Sequence, residues 1–126
     1  MSKSLFSGLK VLDVGSFVAG PGAATILSDF GASVIKVEPP EGDPWREQYK
    51  RPELPRSEHN FFWMLTSRNK KSVALNLKHP DGQAILHRMV AGSDVFVTNM
   101  PHRLRPTLGI EHATLAKLFV SGGGLG

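Results

Sequence analysis

The stretch Leu9–Glu38, LKVLDVGSFVAGPGAATILSDFGASVIKVE, constrains the fold more than any other part of the chain. Leu9, Val11, Leu12 and Val14 form a short apolar run, the pattern of a strand buried on both faces. Gly20, Pro21 and Gly22 interrupt it. Ala23, Leu27 and Phe30 then recur at helical spacing, predicting a helix with one buried stripe. That helix ends at Gly31, which is free to take a left-handed cap. Val34, Ile35 and Val37 predict a second strand, stopped by Pro39-Pro40. Together these make a βαβ unit, which implies a parallel sheet and a right-handed crossover. The loop after the first strand then lies at its carboxyl end, where open α/β sheets take their ligands.

The rest of the chain extends this pattern. Pro39 to Pro55 is a long connection rich in proline and charge, the signature of a functional lid or an interface arm. Ser57–Asn60 is predicted to start a short helix that carries Phe61, Phe62, Trp63, Met64 and Leu65 into the core. Val73, Leu75 and Leu77 alternate, predicting a third strand over Ser72–Lys78. Pro80 and Asp81 suit the first turn of a helix striped by Ile85, Leu86, Met89 and Val90 and closed by Gly92. Asp94–Thr98 is predicted as a fourth strand. Leu104–Leu108 and Glu111–Lys117 are predicted as short helical pieces, and Leu118-Phe119-Val120 as a fifth strand. The glycine run after Ser121 is a turn leading onward. The expectation is an α/β, Rossmann-like parallel sheet with flanking helices, in which residues 1–126 are the N-terminal part of a larger domain.

Composition narrows the functional classes. A chain of 126 residues suffices for one domain and one core. It has no cysteine, so disulfides, thiolate metal sites and a cysteine nucleophile are excluded. No apolar run approaches the ~20 residues of a membrane span, and the first residues lack a secretory apolar core. A cytoplasmic location without a membrane partner is expected. The net charge is +4. From Arg68 to Arg105 seven Lys/Arg face only Asp81 and Asp94, and Arg68, Lys70, Lys71 and Lys78 are grouped within that segment.

Short motifs add little by themselves. Gly20-Pro21-Gly22 with Glu38 is a poor dinucleotide fingerprint, because Gly20 follows Val14 by six residues and Thr25 occupies the third glycine position. Ser67-Arg68-Asn69-Lys70 matches S-x-x-K on two fixed letters only. The five histidines lack metal-ligand spacing, and no metal is expected. Asn99, at the end of the fourth strand, either faces the ligand crevice or makes a turn.

Several blocks, in order, resemble class III CoA-transferases, the CaiB/BaiF family. They are Leu9–Asp13, Ala19-Gly20-Pro21, Gly31–Pro40 and Gly42–Arg46, then Arg68–Lys78 against that family's NRGKRSVALDLK block. Pro80-Asp81-Gly82, Ala91–Val95, Thr98-Asn99-Met100 and Leu108-Gly109 complete the match. The resemblance implies an enzyme that moves coenzyme A between an acyl-CoA thioester and a carboxylic acid through an aspartate carboxylate. That aspartate falls beyond Gly126, so no catalytic residue is assigned here. The chain alone is expected to bind CoA weakly and not to catalyse. Phe17, Val18 and Ala19 resemble residues lining the thioester end. Leu75 to Lys78, Asn99 and Met100 resemble residues flanking the nucleotide and pantetheine. Arg68, Lys71 and Lys78 offer positive charge to the CoA phosphates. Val18 replaces a glutamine of some members, Pro39 an arginine, and Met100 a phenylalanine. Pro101-His102-Arg103 replaces the usual arginine-proline-glycine. The resemblance also implies an interlocked homodimer. An α-methylacyl-CoA racemase is the rival within the family. A stand-alone nucleotide- or nucleic-acid-binding module is the rival outside it. Against that module, the basic cluster has no interleaved aromatic residue on which bases could stack, so no nucleic-acid partner is expected.

Overall fold

The computed structural model describes residues 4–121. Strands β1 (Lys10–Asp13), β2 (Ser33–Glu38), β3 (Lys70–Ala74) and β4 (Val95–Val97) form one parallel sheet in the order β3-β2-β1-β4. Helices α1 (Ala19–Asp29), α2 (Phe61–Ser67), α3 (Pro80–Ala91), α4 (Arg105–Leu108) and α5 (His112–Ser121) flank it. The doubly wound order places the carboxyl ends of all four strands along one edge, which is the edge that carries the site.

Strand alternation divides the core into two faces. On one, Leu12, Val14, Val37 and Leu75 meet Leu86 and Val90 of α3, and Ile110 and Leu115 beyond them. On the other, Val11 and Val34 meet Ala24 and Leu27 of α1. Leu86 and Val90 are fully buried. At about 1.5–3 kcal/mol per buried aliphatic side chain, this face contributes much of the folding free energy.

Several boundaries differ from expectation. The glycine-proline segment does not interrupt the chain: α1 already begins at Ala19, so Gly20 and Pro21 lie in its first turn. A proline there loses no helical hydrogen bond, because first-turn amides have no intrahelical partner. Gly15 and Gly20 are required by close packing, since a Cβ on either would meet Asn99 Oδ1, at 2.9 Å and 3.2 Å respectively. At the far end of α1, Gly31 adopts φ +104°, the expected left-handed stop.

β3 runs Lys70–Ala74 rather than Ser72–Lys78. Leu75 N still donates to Glu38 O at 2.8 Å. The Asn76 side chain then accepts from Lys78 N, and its carbonyl accepts from His79 N, which turns the chain. The fifth strand is not formed. Leu118 and Phe119 belong to α5, whose Leu115, Leu118 and Phe119 pack on the core at helical spacing. A short apolar run alone does not distinguish the two states. The glycines from Gly122 on lie outside the described residues.

α2 starts at Phe61, where Asn60 Oδ1 accepts from Trp63 N at 3.1 Å. Phe61, Phe62 and Trp63 are half-buried, but Met64 and Leu65 are exposed rather than in the core.

Gly82 packs its Cα against the Asn76 carbonyl, and an added Cβ would overlap that backbone. Gly82→Ala should therefore destabilise the chain, even though alanine favours a helix by about 1 kcal/mol over glycine. A urea unfolding midpoint that stays level or rises would contradict this packing.

Candidate functional site

A cleft of about 340 Å³ at the strand tips has an apolar lining that includes Val14, Val37, Leu75 and Met100. Glu38 at the end of β2, Pro39–Glu41 after it, Asn76–Lys78 after β3, and Leu108 complete the lining. Lys78 is exposed, and among the described residues no carboxylate pairs with it. An apolar trough with one free cation at its edge suits an elongated ligand with an apolar arm and an anionic head.

Beside the cleft, the loop after β1 forms a second feature. Asn99 clasps Ser16 from both sides: its Oδ1 accepts from Ser16 N at 2.9 Å, and its Nδ2 donates to Ser16 O at 2.8 Å. The amide of Asn99 is thus spent on the backbone of a remote loop rather than on a turn of its own. Phe17 follows at φ +60°, its ring edge-on to Trp45 at 5.9 Å between centroids. Phe17 and Val18 remain about half exposed.

Beneath this loop lies a buried lattice of charge. Asp13, Lys36, Glu38 and Lys70 point to the α1–α2 face of the sheet by strand alternation. Lys36 Nζ donates to Asp43 Oδ2 at 2.9 Å and to Gly15 O at 3.0 Å, with Asp13 Oδ2 at 3.8 Å. Lys70 Nζ donates to the same Asp13 oxygen at 2.8 Å, and to the carbonyls of Pro21 and Thr66. Asp43 Oδ1 accepts from the Ser16 hydroxyl at 2.7 Å and from Trp45 N at 2.9 Å. Glu38 receives a bidentate pair from Arg46, the Asp43 amide and the Ser72 hydroxyl. The long segment after Pro39 is therefore tied into the sheet through Asp43 and Arg46.

Burial raises the Glu38 pKa, but Arg46, the Asp43 amide and Ser72 outweigh it and hold the carboxyl at about 2. Burial lowers the Lys70 pKa, and its pairing with Asp13 only partly restores it.

Leu75, Lys78 and Met100 converge on the cleft, and Phe17, Val18, Ala19 and Asn99 gather at the adjoining loop. Arg68 stands apart from both. It precedes β3, at the amino end of the sheet, where its guanidinium grips Asp29 at 2.6 Å and lowers that carboxyl's pKa. Lys70 is interior. Lys71 is exposed on edge strand β3, and alternation puts it on the opposite face from Lys70. The basic cluster of the sequence is thus divided among separate places. Sequence reasoning gave no site role to Lys36, Asp43 and Arg46, and weighed Glu38 only as the acid of a dinucleotide fingerprint. The available signal was polar residues at alternate positions of strands expected to be buried on both faces.

An open parallel α/β layer with a ligand crevice at its strand tips is the class that fold and site define. The chain belongs to CoA-transferase family III, whose model matches residues 6–119. It is 38% identical over 117 residues to cinnamoyl-CoA:phenyllactate CoA-transferase of Clostridium sporogenes, which covers 92% of this chain and 28% of that one. It is 44% identical over 96 residues to succinyl-CoA--D-citramalate CoA-transferase of Chloroflexus aurantiacus, covering 72% of this chain and 22% of that one. Among solved structures, a CaiB/BaiF family protein from Brucella suis superposes with a TM-score of 0.81 at 29% identity, over 93% of this chain and 31% of that chain. The chain therefore spans less than a third of the length of these relatives.

Two outcomes follow from the lattice. Lys36→Met leaves Asp13 and Asp43 buried without their shared cation, and should cost about 3–5 kcal/mol in chemical denaturation. A cost below about 1 kcal/mol would show that the pairing is energetically idle. Glu38 is depressed to about 2 from an ordinary value of 4.5, so its contribution is complete above about 4.5 and disappears as the pH falls towards about 2. Glu38→Gln should flatten that part of the stability–pH curve; an unchanged slope would contradict the assignment.

Proposed function

We propose that this chain supplies the N-terminal, CoA-binding part of a cytoplasmic enzyme that transfers coenzyme A between an acyl-CoA thioester and a carboxylic acid. The observation that carries this reading is the strand-tip cleft, apolar along its floor and marked by the unpaired Lys78, in a chain of this family. The apolar floor of Val14, Leu75 and Met100 suits the pantetheine arm. Lys78 supplies charge for a phosphate, with Lys71 further back along the same segment. Phe17, Val18 and Ala19 face the thioester end in this assignment, because their half-exposed apolar surface is unsuited to phosphate.

The reactive carboxylate is assigned to no aspartate of this chain. Asp13 and Asp43 are buried in ion pairs, and Asp29 is held by Arg68. Such groups are poor candidates for attack on a thioester. The transferase names of the relatives favour CoA transfer over epimerisation at the α carbon. A second copy is the assigned partner, covering the exposed apolar residues Ile26 of α1, Phe30 just after it, and Met64 and Leu65 of α2.

Calorimetric titration with CoA and with dephospho-CoA tests the binding role. CoA should bind more tightly, and Lys78→Ala should weaken CoA by about fivefold or more, the scale of one charge-assisted hydrogen bond. Equal affinities would remove the ribose phosphate from the assignment. A duplex-DNA complex tighter than either, and weakened by salt, would favour a nucleic-acid role instead.

A further inference from the structure

Phe17 is one of two non-glycine residues with positive φ among those described, the other being Asn69. A non-glycine residue there costs about 1–3 kcal/mol and persists only where its surroundings over-determine it. The two residues before Phe17 carry that determination. Gly15 N donates to Asp13 Oδ1 at 3.1 Å, and Gly15 O accepts from Lys36 Nζ at 3.0 Å. Both backbone groups of Ser16 are clasped by Asn99, and its hydroxyl donates to Asp43 Oδ1 at 2.7 Å. The same Asp43 oxygen accepts from Trp45 N. The Trp45 ring receives the edge of Phe17, stacks on Phe62 at 4.6 Å, and donates its indole N–H to Thr66 Oγ1 at 3.0 Å. Asp43 therefore fixes the loop backbone and the aromatic wall beside it with one carboxylate.

From this we infer that Asp43, oriented by Lys36, is a positioning residue, which sets the loop Gly15–Val18 for the acyl end of the ligand. The inference rests on the CoA reading above, in which this loop faces the thioester. Asp43 touches no ligand in this assignment. It is 3% exposed, with one oxygen on Lys36 and the other on Ser16 and Trp45. Its effect passes through Ser16, whose hydroxyl is the only side-chain group of the loop in the lattice among the described residues. Changes at this link should alter recognition of the acyl portion and spare recognition of the nucleotide, which lies with Lys78 at the cleft.

The test uses the chain with Ser16→Ala, Ser16→Thr and Asp43→Asn. Each is titrated with acetyl-CoA and with adenosine 3′,5′-bisphosphate, and backbone amide resonances are followed by NMR. Ser16→Ala and Asp43→Asn should weaken acetyl-CoA by about five- to tenfold, the scale of one lost hydrogen bond. The bisphosphate affinity should change by less than about twofold. Ser16→Thr, which keeps the hydroxyl, should restore acetyl-CoA binding. Amide shifts should be confined to residues 15–18 and 43–46. Equal losses for both ligands, or no rescue by threonine, would reduce Asp43 to a merely structural role. Unmoved loop amides would overturn the link outright. Should the unsubstituted chain bind neither ligand, the CoA reading falls and with it the recognition role, while the amide shifts still decide whether Asp43 sets the loop.

Discussion

The Lys36 ammonium lies between two carboxylates and a backbone carbonyl, at 1% exposure, and the rest of the strand-tip architecture is built around it. Taking such a charge from water costs several kcal/mol unless geometry and hydrogen bonds offset it. Here Asp43, Asp13 and Gly15 O surround it, and Lys70 completes Asp13 from the other side. The lattice contains three acids, Asp13, Glu38 and Asp43, and three bases, Lys36, Lys70 and Arg46. Formal charge is therefore balanced within it. What this arrangement adds over an apolar filling is direction. Leucine or methionine side chains would seal the same space, but they would not dictate which way a carbonyl or hydroxyl of the loop points.

That division of labour follows the strands. On the α1 face, Val11 and Val34 are apolar, while Asp13, Lys36 and Glu38 towards the carboxyl ends are charged and Lys70 reaches them from the start of β3. The opposite face is apolar throughout its buried part, against α3 and α5. Cohesion thus comes from one complete apolar layer and half of another. The charged residues lie under the strand-tip loops, and they join three segments far apart in sequence: the loop after β1, the turn at Asp43–Arg46, and the start of β3. A ligand edge made of loops has little packing of its own, so its geometry is inherited from this layer.

The parts of the fold governed by apolar periodicity were legible in the sequence. β1, β2, α1 and α3 follow the spacing of their buried residues, and Gly31 stops α1 as its freedom at positive φ allows. The misreadings share one cause: the deciding partner is remote in sequence. Gly20 reads in the sequence as a helix-feeding break or a weak phosphate-loop glycine, but it and Gly15 are small because Asn99, about eighty residues away in sequence, packs against both. Leu118 and Phe119 are helical because α3 offers them a core. The Arg68–Lys78 run looked like one phosphate-binding patch, yet strand alternation and the opposed ends of β3 disperse it. Lys36 carried a weak signal, a lysine inside a strand otherwise expected to be buried. Its two carboxylate partners could not be chosen from several candidates without the fold.

Glu38 connects the lattice to the cleft. Its backbone carbonyl accepts from Leu75 N, while its carboxylate is held by Arg46, Ser72 and the Asp43 amide. The residue that lines the cleft is thereby fixed by the same turn that orients the loop at Phe17. With Arg46 neutralising Glu38, Lys78 and Glu41 are the remaining charged residues of the cleft lining among the described residues.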